Sequence, residues 1–320
     1  MIVVTGGAGF IGSNIVRALN ARGERDIVIV DDLSDGYKYR NIVDTDIADL
    51  VEPERFRRTL EDDALGFSPR AVFHQGACAD TTVWDGRYML DTNYTLSQEL
   101  YRYTARHHCP FIYASSAAVY GLSTHCRETS ECEVPLNVYG YSKLLFDRWV
   151  RRQRIEHQCV GLRYFNVYGP GETHKGPMAS MAWQLREQLL ADGKLKLFAQ
   201  SGGYGAGEQR RDFVYVDDLV SVVLWFYDHP DGRGIFNVGT GTSQAFNDIA
   251  RSLIDFYGRG EVQYIPFPAH LEGVYQHFTQ ADLTQLRSTG CDVTFVDVEV
   301  GVRRYMERLR QDPTHVMLSA

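Results

Sequence analysis

The sequence predicts an α/β fold in which a doubly wound parallel sheet is followed by a smaller C-terminal lobe. Short Val- and Ile-rich runs alternate with helical periods through the first half of the chain, and a Gly-rich turn follows the first run. After about residue 170 the sequence pattern changes, and Gly-rich polar loops appear. Continuous apolar strands between helices indicate a parallel sheet covered on both faces, and right-handed crossovers make it doubly wound.

The strands and helices are predicted from their apolar periods. Strands are expected at IVVT (2–5), DIVIVDD (26–32), AVFHQGA (71–77), PFIYASS (110–116), CVGLRYFNVYG (159–169), DFVYV (212–216) and GIFNVGTG (234–241). Helices are expected at 11–23, around 92–107, from about 139, and at 178–190. The later strands indicate that the chain returns to the sheet around 210–240.

Composition excludes several classes of protein. The 320 residues suggest about two domains, and 44% hydrophobic with 23% charged residues is typical of a soluble globular protein. A net charge of -8 argues against nucleic acid or an anionic membrane as the main partner. Six scattered cysteines without a CxxC pair predict no metal site and a reducing cytoplasm. A strand at the first residues leaves no room for a signal peptide, and no apolar run reaches the ~18 residues of a membrane span.

The Gly-rich turn TGGAGFIG lies between the first strand and the first helix. Glycines at Gly6, Gly9 and Gly12 permit a tight turn and close approach of a diphosphate to the helix N-terminus, which predicts dinucleotide binding. At the end of the second strand, Asp31 and Asp32 are expected to take the ribose hydroxyls of NAD. Lys38 follows and is able to pair with the extra phosphate of NADP, so the sequence leaves both cofactors open.

The stretch YGYSKLLFDRW places Tyr139 and Lys143 on one face of a helix. The strand before it ends in Ser115 and Ser116, and ligands bind at the carboxyl ends of such strands. A free tyrosine titrates near about 10, and a neighbouring lysine cation favours its phenolate. Tyr139 is therefore predicted to take a hydroxyl proton, with Lys143 also holding the nicotinamide ribose and Ser116 bonding the reacting oxygen.

These motifs resemble the extended short-chain dehydrogenase/reductase superfamily, in its NAD-dependent epimerase/dehydratase family, over essentially the whole chain. The segments GACADTTVWDGRYM, PLNVYGYSKLLFD, RYFNVYGPGETHKGPMAS, RRDFVYVDDL and FTQADL are similar to the branch that acts on ADP-linked heptoses. The resemblance implies inversion of carbon six of ADP-D-glycero-D-manno-heptose through a 6-keto intermediate, for the heptose of the lipopolysaccharide core. It also implies bound NADP, with NAD possible, and a homo-oligomer, expected to be a pentamer.

The resemblance carries residue roles onto this chain. It implies a Rossmann-type NADP-binding domain over 1–170 and a mainly substrate-binding lobe over 171–320, with Lys175 as a second acid/base beside Tyr139. The implied cofactor contacts are Gly6, Gly9, Phe10, Ile11, Gly12, Asp31, Asp32, Lys38, Gln75, Gly76, Ala77, Cys78, Ala79, Lys143, Val167 and Lys175. The implied substrate contacts are Asn166, Pro177, Gln184, Phe198, Ala199, Gln200, Ser201, Arg211 and Tyr275. The chain departs from the family pattern at Pro53, Gln75, Thr92, Pro177 and Gln184.

Two other functions use much of the same machinery. A UDP-hexose 4-epimerase needs the Ser/Tyr/Lys set but not Lys175, and a non-catalytic NADP-binding sensor needs only the nucleotide site. A nucleotide-sugar dehydratase requires an Asp–Glu pair directly after Ser116, where Ala117 and Ala118 stand.

Overall fold

The structure is a computed structural model that describes residues 1–273 and 275–311. The end of the predicted C-terminal lobe, 312–320, lies outside the described residues. The strands of the first half are β1 (Ile2–Thr5), β2 (Ile27–Val30), β3 (Asp49–Val51), β4 (Ala71–His74), β5 (Phe111–Ser116) and β6 (Val160–Tyr164). Its helices are α1 (Phe10–Ala21), α2 (Pro53–Glu61), α3 (Gly86–Leu90), α4 (Leu96–Arg106) and α5 (Val138–Gln153).

The second half is a mixture of short strands and helices. Its strands are β7 (Asn166–Tyr168), β8 (Lys194–Phe198), β9 (Arg210–Arg211), β10 (Phe213–Tyr215), β11 (Gly234–Val238), β12 (Gln244–Ala245) and β13 (Glu261–Ile265). Its helices are α6 (Met181–Asp192), α7 (Val216–Asp228), α8 (Phe246–Tyr257), α9 (Thr284–Ser288) and α10 (Val298–Gln311).

Seven parallel strands form the main sheet in the order β3-β2-β1-β4-β5-β6-β11. The predicted doubly wound parallel sheet is thus confirmed. The strand order runs from β1 to β2 and β3 on one side and from β1 to β4, β5 and β6 on the other. The carboxyl ends of β1 and β4 therefore border the crevice in which ligands of this architecture bind. Strand β11 pairs with β6, so the chain returns to the sheet after the lobe begins.

The central strands explain why their sequences read as continuous apolar runs. Every residue of β1, β2 and β4 is buried, because helices cover both faces of the sheet. Outside the main sheet, β7 pairs with β10 and β8 pairs with β13 in parallel, while β9 and β12 are antiparallel. Within residues 1–273 and 275–311, no helix is long and apolar enough to cross a membrane.

The single strand predicted at 159–169 is wrong, because the chain breaks into β6 and β7 at Phe165. The Phe165 N–H donates to the Val238 carbonyl at 3.0 Å, and the next N–H, of Asn166, donates to the Asp212 carbonyl at 3.0 Å. Asn166 is the one polar residue between Tyr164 and Tyr168, and a single polar residue within an apolar run does not by itself indicate a break. The break turns β7 out of the main sheet and leaves Asn166 exposed.

A buried ion pair joins α5 to the sheet. The Asp147 carboxylate accepts hydrogen bonds from Tyr113 Oη at 3.0 Å, Ser115 Oγ at 2.9 Å and Arg163 Nε at 2.9 Å. The Arg163 guanidinium also donates to Glu133 Oε1 at 2.6 Å. The side chains of Asp147, Arg163 and Glu133 are fully buried, so their charges are compensated by one another rather than by water.

We predict that Arg163→Met destabilises the protein by about 3–5 kcal/mol, because it leaves the Asp147 carboxylate buried without its cation and leaves Glu133 with Arg151. Urea unfolding of the two proteins measures this difference. The matched control is Arg127→Met, which removes an ion pair with Asp282 whose arginine side chain is 68% exposed. That change is expected to cost less than about 1 kcal/mol. Equal losses in the two variants would contradict the prediction.

Candidate active site

The Gly-rich turn after β1 has the geometry that a dinucleotide requires. Gly6 has φ +66°, and a Cβ there would lie 2.6 Å from the Gly76 nitrogen. A Cβ on Gly12 would lie 2.1 Å from the Gly6 carbonyl oxygen. The N-cap of α1 is Gly9, which has no side chain to cap the helix, and the first turn carries no acidic residue. These residues fit a dinucleotide, whose diphosphate would meet free N–H groups at the helix N-terminus.

The two predicted acidic residues at the end of β2 have different hydrogen-bond partners. Buried Asp31 accepts hydrogen bonds from the Ala8 N–H at 2.8 Å and from Lys38 Nζ at 2.9 Å. Lys38 Nζ also donates to the Asp32 carbonyl at 3.0 Å. The Asp32 carboxylate is exposed and takes both hydrogen bonds from Ser34. Asp31 therefore shapes the Gly-rich turn and pairs with Lys38.

The stretch after β4, predicted to pass the cofactor, packs directly on the Gly-rich turn. The Gly76 N–H donates to Thr5 Oγ1 at 3.1 Å. Gln75 accepts from the Tyr164 hydroxyl at 3.0 Å, while its Nε2 is buried and has no partner in the described part of the chain. Cys78 is held through its backbone N–H and carbonyl by the Asn93 side chain. Ala77 and Cys78 are half-buried and Ala79 is exposed.

An asparagine that the sequence analysis missed holds this stretch against α5. Asn93 lies in a π-helical turn, Asp91–Thr95, between α3 and α4. Its amide accepts from the Cys78 N–H at 2.8 Å and donates to the Cys78 carbonyl at 3.0 Å and to Ser142 Oγ at 3.0 Å. The resemblance pointed to position 92, where Thr92 stands, but the π-helical turn directs the next residue into the site.

The serine and the tyrosine predicted to cooperate are brought together. Helix α5 begins at Val138, where the Asn137 side chain accepts from the Gly140 N–H at 2.8 Å, so Tyr139 lies in the first turn. Burial raises the pKa of the Tyr139 phenol above its ordinary value, and hydrogen bonding with Ser116 offsets part of that rise. Ser115 points the other way, into the Asp147 cluster.

Lys143 is buried one helical turn beyond Tyr139. Its ammonium donates to the Ala114 carbonyl at 2.9 Å. Burial lowers the pKa of Lys143 to about 8, and the Asp147 carboxylate opposes this shift. Lys143 therefore keeps its charge at neutral pH, as the predicted role beside Tyr139 requires.

Lys175 lies in the turn Thr173–Met178, against the Gly-rich turn. Its ammonium is 5.4 Å from the centre of the Phe10 ring. Burial lowers the pKa of Lys175, and the Glu172 carboxylate opposes the shift. The Lys175 ammonium makes no hydrogen bond or ion pair with any described residue, and its ring contact is with Phe10 rather than Tyr139. The structure thus offers a desolvated amine without an acid partner at the cofactor turn.

The loop that carries Lys175 is anchored at both ends. The fully buried Glu172 carboxylate accepts from the Gly169 N–H at 3.3 Å and from the N–H and hydroxyl of Ser180 at 2.5 and 2.7 Å. The Gln184 amide donates to the Pro177 and Ala179 carbonyls at 3.0 and 2.8 Å. Gln184 and Pro177, both predicted to touch substrate, are therefore joined, and the Gln184 amide supports the loop backbone.

A second cluster in the C-terminal lobe surrounds Arg211 on β9. Arg211 is buried and its guanidinium donates to the Arg210 carbonyl at 3.0 Å. It lies 5.0 Å from the ring centre of Tyr275 and 5.7 Å from that of Phe246. No carboxylate among residues 1–273 and 275–311 pairs with it, and burial lowers its pKa. The cluster is thus a cation that is ready for an anionic ligand.

The remaining predicted substrate residues lie around this cluster or on β7. The Phe198 ring is 5.8 Å from that of Tyr275. Ala199 and Ser201 are held by the Gln209 amide at 3.0 and 2.8 Å, while Gln200 is exposed. Val167 on β7 packs partly buried against the core, and Asn166 accepts from Thr279 Oγ1 at 3.3 Å. Phe246 and His277, whose ring lies 5.1 Å from that of Tyr275, were missed because no motif marks them.

Comparison with known families decides the class. The NAD dependent epimerase/dehydratase family matches residues 2–239 of the chain. The chain belongs to this family. The predicted resemblance is confirmed, and with it the prediction of an enzyme that uses a nicotinamide dinucleotide, a cofactor class that the Gly-rich turn fits.

Relatives within the epimerase/dehydratase family match the full length of the chain. A protein of Alkalilimnicola ehrlichii named ADP-L-glycero-D-manno-heptose-6-epimerase is 53% identical over 98% of each chain. The crystal structure of the Helicobacter pylori ADP-L-glycero-D-manno-heptose-6-epimerase has a TM-score of 0.82 and 30% identity, covering 96% of this chain and 95% of that one. The Thermus thermophilus UDP-glucose 4-epimerase complex with NAD has a TM-score of 0.77 and 26% identity, covering 97% and 98%.

We predict that, with the Gly-rich turn saturated by a nicotinamide dinucleotide, Arg211→Met abolishes most of the further rise in melting temperature that millimolar ADP gives the wild-type protein. The buried guanidinium is the group that would bind the diphosphate, and ligand binding to the folded state raises stability. Thermal unfolding with and without ADP measures the effect. The control is Arg251→Met, whose arginine side chain is 67% exposed on α8. A full ADP-dependent rise in Arg211→Met would contradict the prediction.

Proposed function

We propose that the protein is an ADP-L-glycero-D-manno-heptose 6-epimerase that inverts carbon six of ADP-D-glycero-D-manno-heptose. The observation that carries the proposal is Lys175, a desolvated lysine without an acid partner, in a chain 53% identical to a relative with that name. A 4-epimerase of the same family needs Tyr139, Ser116 and Lys143 alone. Inversion at carbon six, a side-chain carbon of the sugar, requires a second acid/base in addition to these three residues.

The mechanism requires proton handling in two geometries, because hydride leaves one face of carbon six and returns to the other. A bound nicotinamide dinucleotide supplies a reversible hydride acceptor, so no net oxidation occurs. In one substrate orientation Tyr139 takes the proton of the hydroxyl on carbon six, and Ser116 hydrogen-bonds the oxygen. After the 6-keto intermediate has turned, Lys175 gives its proton to the oxygen. The same residues exchange roles in the reverse direction.

The electrostatic surroundings of Tyr139, Lys143 and Lys175 support these separate roles. Burial alone raises the pKa of Tyr139, so the phenolate needs a cation beside it, and Lys143 supplies that charge up to about pH 8. Burial lowers the pKa of Lys175, which shifts this amine in the direction that acid/base catalysis requires. Arg211 would hold the diphosphate of the substrate, with Phe198 and Tyr275 as aromatic walls.

The finer features of the proposal follow the same resemblance. NADP is the proposed cofactor, held by the Gly-rich turn with Lys38 at the adenosine ribose, and NAD is the alternative. Residues 1–170, with the return at 210–240, form the cofactor domain, and the rest of the chain is mainly the substrate lobe. The protein is proposed to act in the cytoplasm as a homo-oligomer, a pentamer, and to supply heptose for lipopolysaccharide.

The direct test is conversion of the proposed substrate. Purified protein is incubated with ADP-D-glycero-D-manno-heptose without added cofactor, and the two heptose isomers are separated by chromatography. Approach to one isomer mixture from either side is expected. No conversion, even with NADP or NAD supplied, would overturn the proposal, and UDP-hexose turnover would then identify a 4-epimerase. Cofactor binding without any turnover would identify a sensor.

We predict that Tyr139→Phe and Lys175→Met each lower turnover by about 100-fold or more, because each removes an acid/base group. Both variants are expected to fold and to bind cofactor. The control is Lys196→Met, which removes an exposed lysine on β8. Near-normal turnover of Lys175→Met would show that one base serves both orientations.

A further inference from the structure

Four aromatic rings of the C-terminal lobe gather beside Arg211 and stay partly open to solvent. The Tyr275 ring lies 5.0 Å from the Arg211 guanidinium, and the rings of Phe198, Phe267 and His277 lie 5.8, 5.4 and 5.1 Å from that of Tyr275. All four are half-buried, and the three that are Phe or Tyr are not part of the hydrophobic core that the described residues form. Open ring surface around a buried cation indicates a ligand with a flat apolar part and an anionic part.

A fifth ring, that of Tyr204, comes from the turn that follows β8. Ser201 and Tyr204 close this turn with reciprocal backbone hydrogen bonds of 3.1 and 3.0 Å. Gly202 has φ +56° and lies against the imidazole of His277, because a Cβ there would be 2.4 Å from that ring. The Tyr204 and His277 rings are parallel to within 2°, with their centres 6.5 Å apart. A planar ligand that is parallel to one of these rings is therefore parallel to both.

The charges around these two rings fit an uncharged group beside an anion. Burial lowers the pKa of His277 first, the Arg211 cation lowers it further, and the Tyr275 carbonyl opposes them, so the imidazole is neutral at physiological pH. Burial lowers the pKa of Arg211, and the phenols of Tyr275 and Tyr204 oppose that shift. Arg211 is thus the charged group of the cluster, and the neighbouring neutral rings are available to the part of a ligand that carries no charge.

We propose that Tyr204 and His277 form the subsite that stacks the adenine base of the nucleotide-sugar substrate, while Arg211 holds its diphosphate. The inference rests on the proposed function for the nucleoside diphosphate. Only a ribose separates the base from the diphosphate, so rings gathered beside Arg211 are within reach of the base. Every base has a flat π-face, and aromatic side chains stack on it. The turn Ser201–Tyr204 then contributes a binding surface in addition to connecting β8 with β9.

The test is calorimetric titration of the full chain, saturated with whichever of NADP and NAD it binds, using ADP and inorganic diphosphate as separate probes. Inorganic diphosphate carries the anion without the base, so it reports on Arg211. We expect Tyr204→Leu and His277→Leu each to raise the Kd for ADP about tenfold and that for diphosphate less than about twofold. Tyr204→Phe keeps the ring and is expected to bind ADP within about twofold of the wild type. This contrast with Tyr204→Leu decides the question with ADP alone.

The control is Tyr88→Leu, which removes a tyrosine of α3 that is 52% exposed. Unchanged ADP affinity in both leucine variants at positions 204 and 277 would overturn the inference. Equal weakening of ADP and diphosphate would also overturn it, because the rings would then act through Arg211, and so would equal weakening by Tyr204→Phe and Tyr204→Leu. Failure of the wild type to bind either probe would overturn the nucleotide-sugar site of the proposed function as well. Melting temperatures establish that the variants fold.

Discussion

The geometry of the site depends on the buried ion pair between Arg163 of β6 and Asp147 of α5. Desolvation of two charges is unfavourable unless each finds full compensation, and here Asp147 has the guanidinium and two hydroxyl groups of β5. This compensation holds only when α5, β5 and β6 are in one register. Tyr139 lies on α5 two turns before Asp147 and Lys143 one turn before it, so their placement at the end of β5 follows from the same constraint.

A second constraint joins the cofactor turn to the loop that carries Lys175. The Asn14 amide on α1 donates to the Pro170 carbonyl at 2.8 Å, and the Asn41 amide bonds both the Ala8 and Gly171 carbonyls, at 2.9 and 3.0 Å. The Asn41 amide therefore satisfies carbonyl groups of both the cofactor turn and the loop. Neither segment can shift without breaking bonds of the other, so a ligand on the Gly-rich turn also restrains the loop.

Much of the fold and part of the site were predictable because the signals are local. Apolar runs and a Gly-rich turn predict the sheet and its crevice, and the helix period brings Tyr139 to the strand end beside its serine. The break at Phe165 was not predictable, since Asn166 alone interrupts an apolar run and the carbonyl partners that separate β6 from β7 come from Asp212 and Val238, distant in sequence. Asn93 requires a π-helical turn that periodicity does not reveal. His174 and Asn41 are 133 residues apart in sequence, so only the folded chain shows that they meet.

The two lysines of the site show how environment assigns different chemistry to one residue type. Burial lowers the pKa of both, yet Lys143 donates to a main-chain carbonyl and lies near the Asp147 carboxylate, which opposes the lowering of its pKa. Lys175 has only the Phe10 ring and Glu172, and burial raises the pKa of that carboxyl while its oxygens accept three other hydrogen bonds. A cation over a ring gains only about 0.5–2 kcal/mol. The two lysines therefore differ in their hydrogen bonds: Lys143 is fixed by a main-chain carbonyl and suits a fixed cation, whereas the Lys175 ammonium has no hydrogen-bond partner among the described residues and suits proton exchange with a substrate oxygen.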